Sequence, residues 1–178
     1  MTTPVLDRLA DVVRAEGGLL MAAVREPEAI ATPYSDALAL APRAQSSQAD
    51  LALVLETVRE GYLLHHGKAR VLADDDRDLA LLAGDRLYAA GLELLAAVGD
   101  GASVRALADV IALAAGAHAR SDAELADAVW EAGMAEIGWG SSTALQDAKT
   151  TAIEDPERAA AALRAAAREA RREPGLVR

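Results

Sequence analysis

"RDLALLAGDRLYAAGLELLAAVGDGASVRALADVIALAAGAHA", residues 77–119, decides the fold. Leu81, Leu82, Tyr88, Leu92 and Leu95 recur at the three-, four- and seven-residue intervals of a helix face. Gly99-Asp100-Gly101 interrupts the pattern, and Leu107, Val110, Ile111 and Leu113 resume it. Nothing in the stretch alternates with the two-residue period of a strand. The spacing predicts one helix from about Asp76 to Val98. A second, capped by Ser103, is expected to end near Gly116.

Working outward, the same periodicity continues in both directions. Val5, Leu9, Val12, Val13, Leu19, Leu20 and Val24 predict an amphipathic helix over residues 4–25, with Gly17-Gly18 marking a turn or kink inside it. Pro27 and Pro33 bound one connector, Pro42 and Ser46-Ser47 another, leaving Tyr34 to Leu40 room for a short helix at most. Leu51, Val54, Leu55, Val58, Tyr62 and Leu63 predict a long helix that starts at Ser47 or Asp50 and ends at His66-Gly67. Downstream, Ser121 or Asp122 starts a helix through Val129 and Met134, and Ser121-x-x-Glu124 has a capping-box spelling. Ile137 to Ser142 is expected to be a loop, followed by a short helix over Thr143 to Thr151. A final helix should run from Asp155-Pro156 to Arg172, since proline suits the first helical position. The expectation is all-α: one domain over residues 1–178, a bundle of five to seven helices.

Composition supports this class. Hydrophobic residues make up 52% of the 178 and charged residues 26%, with no Phe, two Trp and three Tyr, so the core must be Leu, Val and Ala. The formal charge of −10 argues against a nucleic-acid partner, which needs a basic surface. Arg158, Arg164, Arg168, Arg171, Arg172 and Arg178 make the last stretch locally basic, as a helix C-terminus favours. Zero cysteines exclude disulfides, thiolate catalysis and cysteine-held metals. Asp7, Arg8, Asp11 and Arg14 break up any signal-like N-terminus, and charges interrupt every apolar run before membrane-spanning length. A cytoplasmic protein without a transmembrane segment is expected.

Chemistry-bearing patterns are few. Glu-x-x-His, His-Glu-x-x-His and a phosphate-binding Gly-rich loop are all missing, so no catalytic residue is assigned. Adjacent His65 and His66 point about 100° apart on a helix and suit its C-terminus. The cluster Asp74-Asp75-Asp76-Arg77-Asp78 has two readings. Asp74, Asp75 and Asp78 can converge on magnesium, with Lys68 and Arg70 upstream receiving a phosphate. Alternatively, Asp75 is the N-cap of the helix and Asp78 lies in its first turn, favoured by the helix dipole. Trp139, set between glycines, is either an interface anchor or a lid folded over the end of the bundle; Trp130 should be core.

"LALLAGDRLYAAGLELLAAVGD" followed by "VRALADVIALAAGAHA" resembles a helix pair of the trans-polyprenyl diphosphate synthases. Ala83-Gly84-Asp85, Leu92, Leu94, Leu95 and Gly99-Asp100 carry the resemblance, over about residues 79–120. Asp74–Asp78 lies too close to Asp85 to be the family's first aspartate-rich motif, and the second such motif and the Gly-Gly-Lys-Arg-like phosphate segment are missing. The resemblance therefore implies a shortened isoprenoid synthase-like fold without the magnesium chemistry. The leading expectation is a non-catalytic helical protein needing no cofactor, working as a homo-oligomer or beside a helical partner subunit. The alternatives are a magnesium-dependent enzyme acting on an isoprenoid diphosphate and a carrier of an apolar ligand.

Overall fold

The computed structural model describes residues 5–25 and 31–172; Pro27, Arg178 and the expected helix start at residue 4 lie outside them. The chain is all-α. Among the described residues there are nine α-helices and one 3-10 turn, more than the five to seven expected. The excess has a local cause. Gly17 and Gly18 take φ values of 75° and 60°, a left-handed region closed to most side chains. They split the expected first helix into α1 (Val5–Glu16) and α2 (Gly18–Ala23). A further short helix, α3 (Pro33–Leu38), starts at Pro33.

The described residues fall into two compact units. Residues 5–25, 31–35 and 49–99 form the first. It holds α1, α2, nearly all of α4 (Gln48–His66) and α5 (Arg77–Val98). Leu9, Val13, Leu64, Leu72 and Leu87 centre its core, each contributing about 1.5–3 kcal/mol by burial. Its one extended pairing is an isolated antiparallel bridge between Val24 and Leu72, with Arg25 N–H donating to Val71 O at 2.8 Å. Helices α4 and α5 touch backbone to backbone where Gly61 meets Gly84. A Cβ on Gly61 would lie 2.9 Å from Gly84 O, so only glycine permits this approach. Gly84, the glycine of the Ala-Gly-Asp trio, therefore has a packing role.

Residues 36–48 and 100–172 form the second unit. It contains the 3-10 turn Pro42–Ala44, α6 (Gly101–Ala119), α7 (Ala123–Trp139), α8 (Thr143–Glu154) and α9 (Pro156–Arg172). Helix α7 packs against α6, α9 and the 3-10 turn, while α8 packs against α9. From Leu125 to Gly138 nearly every residue of α7 is buried, and Trp130 is fully so, as its position predicts.

Four local expectations need correction. Asp76, not Asp75, caps α5: its extended backbone places Oδ1 3.0 Å from Asp78 N and 3.2 Å from Leu79 N. Asp100, not Ser103, caps α6, accepting from Ala102 N and Ser103 N, while the Ser103 hydroxyl donates to it at 2.6 Å. Asp122 caps α7 without the Ser121 box. The fourth correction concerns residues 137–139, which are helical, so the loop shrinks to residues 140–142. Leu38 and Ala41 lie against Gly138, and Arg43 Nη1 donates to Ile137 O at 3.1 Å, holding this last turn in place.

Candidate functional site

Helix α6 has an unusual distribution of surface. It alone among the described residues is long and apolar enough to cross a membrane, yet only 33% of its apolar window is buried. Ser103, Ala106, Leu107, Val110, Ala114 and Ala117 form its buried face. Val104, Ala108, Ala112, Ala115 and Ala119 follow one another at three- and four-residue spacing on another side, with Ile111 beside them. All but the half-buried Ile111 are exposed, and none carries a charge. Charge is confined to a narrow strip, Arg105 and Asp109, which is why the sequence shows no uninterrupted membrane-length run. A helix apolar on nearly all sides is ordinarily enclosed, so its open face is the surface to explain.

The same helix borders a cavity of about 190 Å³, lined by Arg43, Arg105, Asp109, Glu136, Ser141 and Gln146. Two of the lining carboxylates share Lys149: its Nζ lies 2.6 Å from Asp109 Oδ2 and also pairs with Glu136 Oε2. Lys149 and Glu136 are each only 8% exposed, so the pairing is needed to keep either charge there. Gln146 Nε2 donates to Glu136 Oε1 and to Ser141 Oγ, both at 2.9 Å. Arg43 Nη2 donates to both oxygens of Asp100 at 3.2 and 3.1 Å. Partial burial raises the Asp100 carboxyl pKa. The Ser103 hydroxyl and backbone N–H, Arg43 and the Ala102 N–H outweigh it and hold the group below its usual range.

The aspartate cluster does not converge. Asp74 accepts from Ala69 N at 3.3 Å and faces Arg25 Nη2, also at 3.3 Å. Asp75 is strongly exposed and pairs with the same guanidinium at 3.0 Å. Asp78 lies exposed in the first turn of α5. Among the described residues no group of three or more His, Asp or Glu side chains is placed to hold a metal ion.

The two expected phosphate ligands part company. Lys68 is exposed, whereas Arg70 is folded into the first unit. Arg70 Nη1 donates to Glu56 Oε2 at 2.6 Å and its Nε to Glu60 Oε2 at 3.0 Å. Those two carboxylates are fully buried on α4, and one turn apart they need a cation between them. Arg70 is therefore a structural counterion, unavailable to a phosphate. Glu60 Oε1 also accepts from the backbone N–H groups of Arg70, Val71 and Leu72, at 2.7, 2.6 and 3.2 Å. Sequence reading passed over both glutamates. Their signal was acids spaced by four inside the apolar run from Leu51 to Leu63.

His65 Nε2 faces Asp85 Oδ1 at 3.2 Å, and its ring stacks on Tyr88 with centroids 5.5 Å apart. Burial, helped by Tyr62 and Asp85, pushes the Tyr88 hydroxyl up to about 12. At the C-terminus of α4, Arg77 donates to Leu64 O and His65 O at 3.0 and 2.9 Å. Trp139 ends α7 half-buried. No family model, characterised protein or solved structure matches the chain.

Proposed function

We propose that this chain is a cytosolic, non-catalytic helical protein that works by self-association through the open face of α6. The observation that carries the reading is the row Val104, Ala108, Ile111, Ala112, Ala115 and Ala119, apolar and mostly uncovered. A second copy is the occupant because of charge. With a formal −10, two copies repel over most of their surface, but this row brings no like charges together. Its small side chains also let two helices approach to the short end of the usual distance of about 8–10 Å. In the first unit Leu82 and Leu92 on α5 are 68% and 46% exposed, but with the exposed Asp85 between them they form no such uncharged row. The resemblance to a polyprenyl synthase helix pair accords with this reading, since what it retains is helix-packing sequence and what it lacks is the aspartate chemistry.

Sedimentation of the full chain across a concentration series tests the proposal. A dimer is expected, and Ala112→Glu should weaken it at least tenfold, because a symmetric contact meets the new charge twice. Stability of the monomer should change by no more than about 0.5 kcal/mol, as for other exposed positions. A chain that stays monomeric at high concentration overturns self-association, as does a dimer indifferent to Ala112→Glu.

A further inference from the structure

From the cavity of the second unit we infer a binding site for a small zwitterion, of the size and charge pattern of a free α-amino acid. The inference does not rest on self-association and uses a different part of α6. The lining brings together two cations, Arg43 and Arg105, and two carboxylates, Asp109 and Glu136. The set is neutral as a whole, so it gives no net attraction to a simple anion or cation.

Its uncommitted groups are divided by sign. Arg105 has no ion-pair partner among the described residues and keeps all of its donors. Ser141 Oγ accepts from Gln146, which leaves its own proton to donate. These two offer donors for a carboxylate. Asp109 spends Oδ2 on Lys149 and retains Oδ1. Gln146 spends its Nε2 on Glu136 and Ser141 and retains Oε1. Those two offer acceptors for an ammonium group.

Lys149 and Glu136, both more than nine-tenths buried, neutralise one another, so the lining carboxylate of Glu136 is already balanced. A volume of about 190 Å³ holds roughly six waters, which suits a molecule of about six to ten non-hydrogen atoms. Ala102 is the one apolar residue among those lining it.

Isothermal titration of the full chain with glycine, L-alanine, L-serine and L-aspartate tests the site, with acetate and methylammonium as single-charge probes. Saturable binding of at least one amino acid, one per chain, is expected, with each single-charge probe at least tenfold weaker. Arg105→Gln should weaken binding at least tenfold, and because this side chain is exposed and unpaired the variant should fold normally. Asp109→Asn should weaken it similarly, with circular dichroism confirming that the helices persist. No saturable heat from any of the four amino acids overturns the inference. So does acetate binding as tightly as they do, which would mean a plain anion site, or affinity unchanged in Arg105→Gln.

Discussion

Both units bury acidic side chains beside a cation, but they do so to different ends. In the first, Glu56 and Glu60 enclose Arg70, and Glu60 also gathers three consecutive backbone N–H groups, so the cluster fastens the chain between α4 and α5. In the second, Lys149 joins Asp109 and Glu136, which line an opening, and the surrounding groups keep donors and acceptors free. Similar residue types thus serve a closed structural knot in one place and a wall of a cavity in the other. What separates them is where the spare hydrogen-bonding capacity goes. It goes to the protein's own backbone in the first unit and to open space in the second.

The largest expected effect tests the closed knot. Glu60→Ala leaves Arg70 with Glu56 alone and strands three backbone donors, and loss of one partner in a buried charge cluster should lower unfolding stability by about 3–5 kcal/mol. Urea denaturation measures this; a loss near that of an average surface change would mean the first cluster is as open as the second. Next comes Glu136→Gln, which keeps the shape but removes a charge from Lys149. Water from the cavity can replace part of what is lost, so the drop should be nearer 1–3 kcal/mol. If it equals the Glu60→Ala loss, the contrast between closed and open clusters fails.

Smaller effects test the helix starts that flank the two clusters. Asp76→Ala should lower stability by about 0.5–2 kcal/mol through loss of the α5 cap. Asp75→Ala, which breaks only an exposed pair with Arg25, should stay within about 0.5 kcal/mol. Thermal melts of the two variants side by side decide it, and equal losses would remove Asp76 from the cap.

The smallest effect is an acid dependence at Asp100, on the edge of the open cluster. Its folded pKa lies below its unfolded value of about 3.9, so the native state favours the ionised form. Its stabilisation is present above about pH 4 and is lost as pH falls through the folded value. Asp100→Asn should therefore be less stable than the natural chain near neutral pH, and the gap should narrow in acid. Melting temperatures from pH 6 to pH 2 measure this; a constant gap would show that ionisation of Asp100 contributes nothing.

Helix content was legible wherever apolar spacing ran uninterrupted. The long helices α4, α5, α7 and α9 start within a residue or two of where Ser47, Asp76, Asp122 and Pro156 place them. Cap identity was less legible, because acids and hydroxyls crowd the same few positions and only backbone angles choose among them. Asp75 and Asp76 are equivalent as letters, and the extended conformation at Asp76 decides the matter. Gly138-Trp139 reads as a loop by composition, yet Leu38, Ala41 and Arg43, about a hundred positions away, hold it helical.

The sequence by itself determined the all-α class, the Leu, Val and Ala core, and the burial of Trp130, because these follow from local spacing and the hydrophobic effect acting along one chain. Only the tertiary structure decided which charges are spent and which remain. Arg70 looks like a phosphate ligand until Glu56 and Glu60 are seen around it, and Lys149 is unremarkable in sequence until Asp109 and Glu136 meet it. The reason is physical. Helix periodicity is set by neighbours three and four residues apart, whereas the state of a charge is set by whatever desolvates and pairs it, and those partners here lie 10 to 40 positions away.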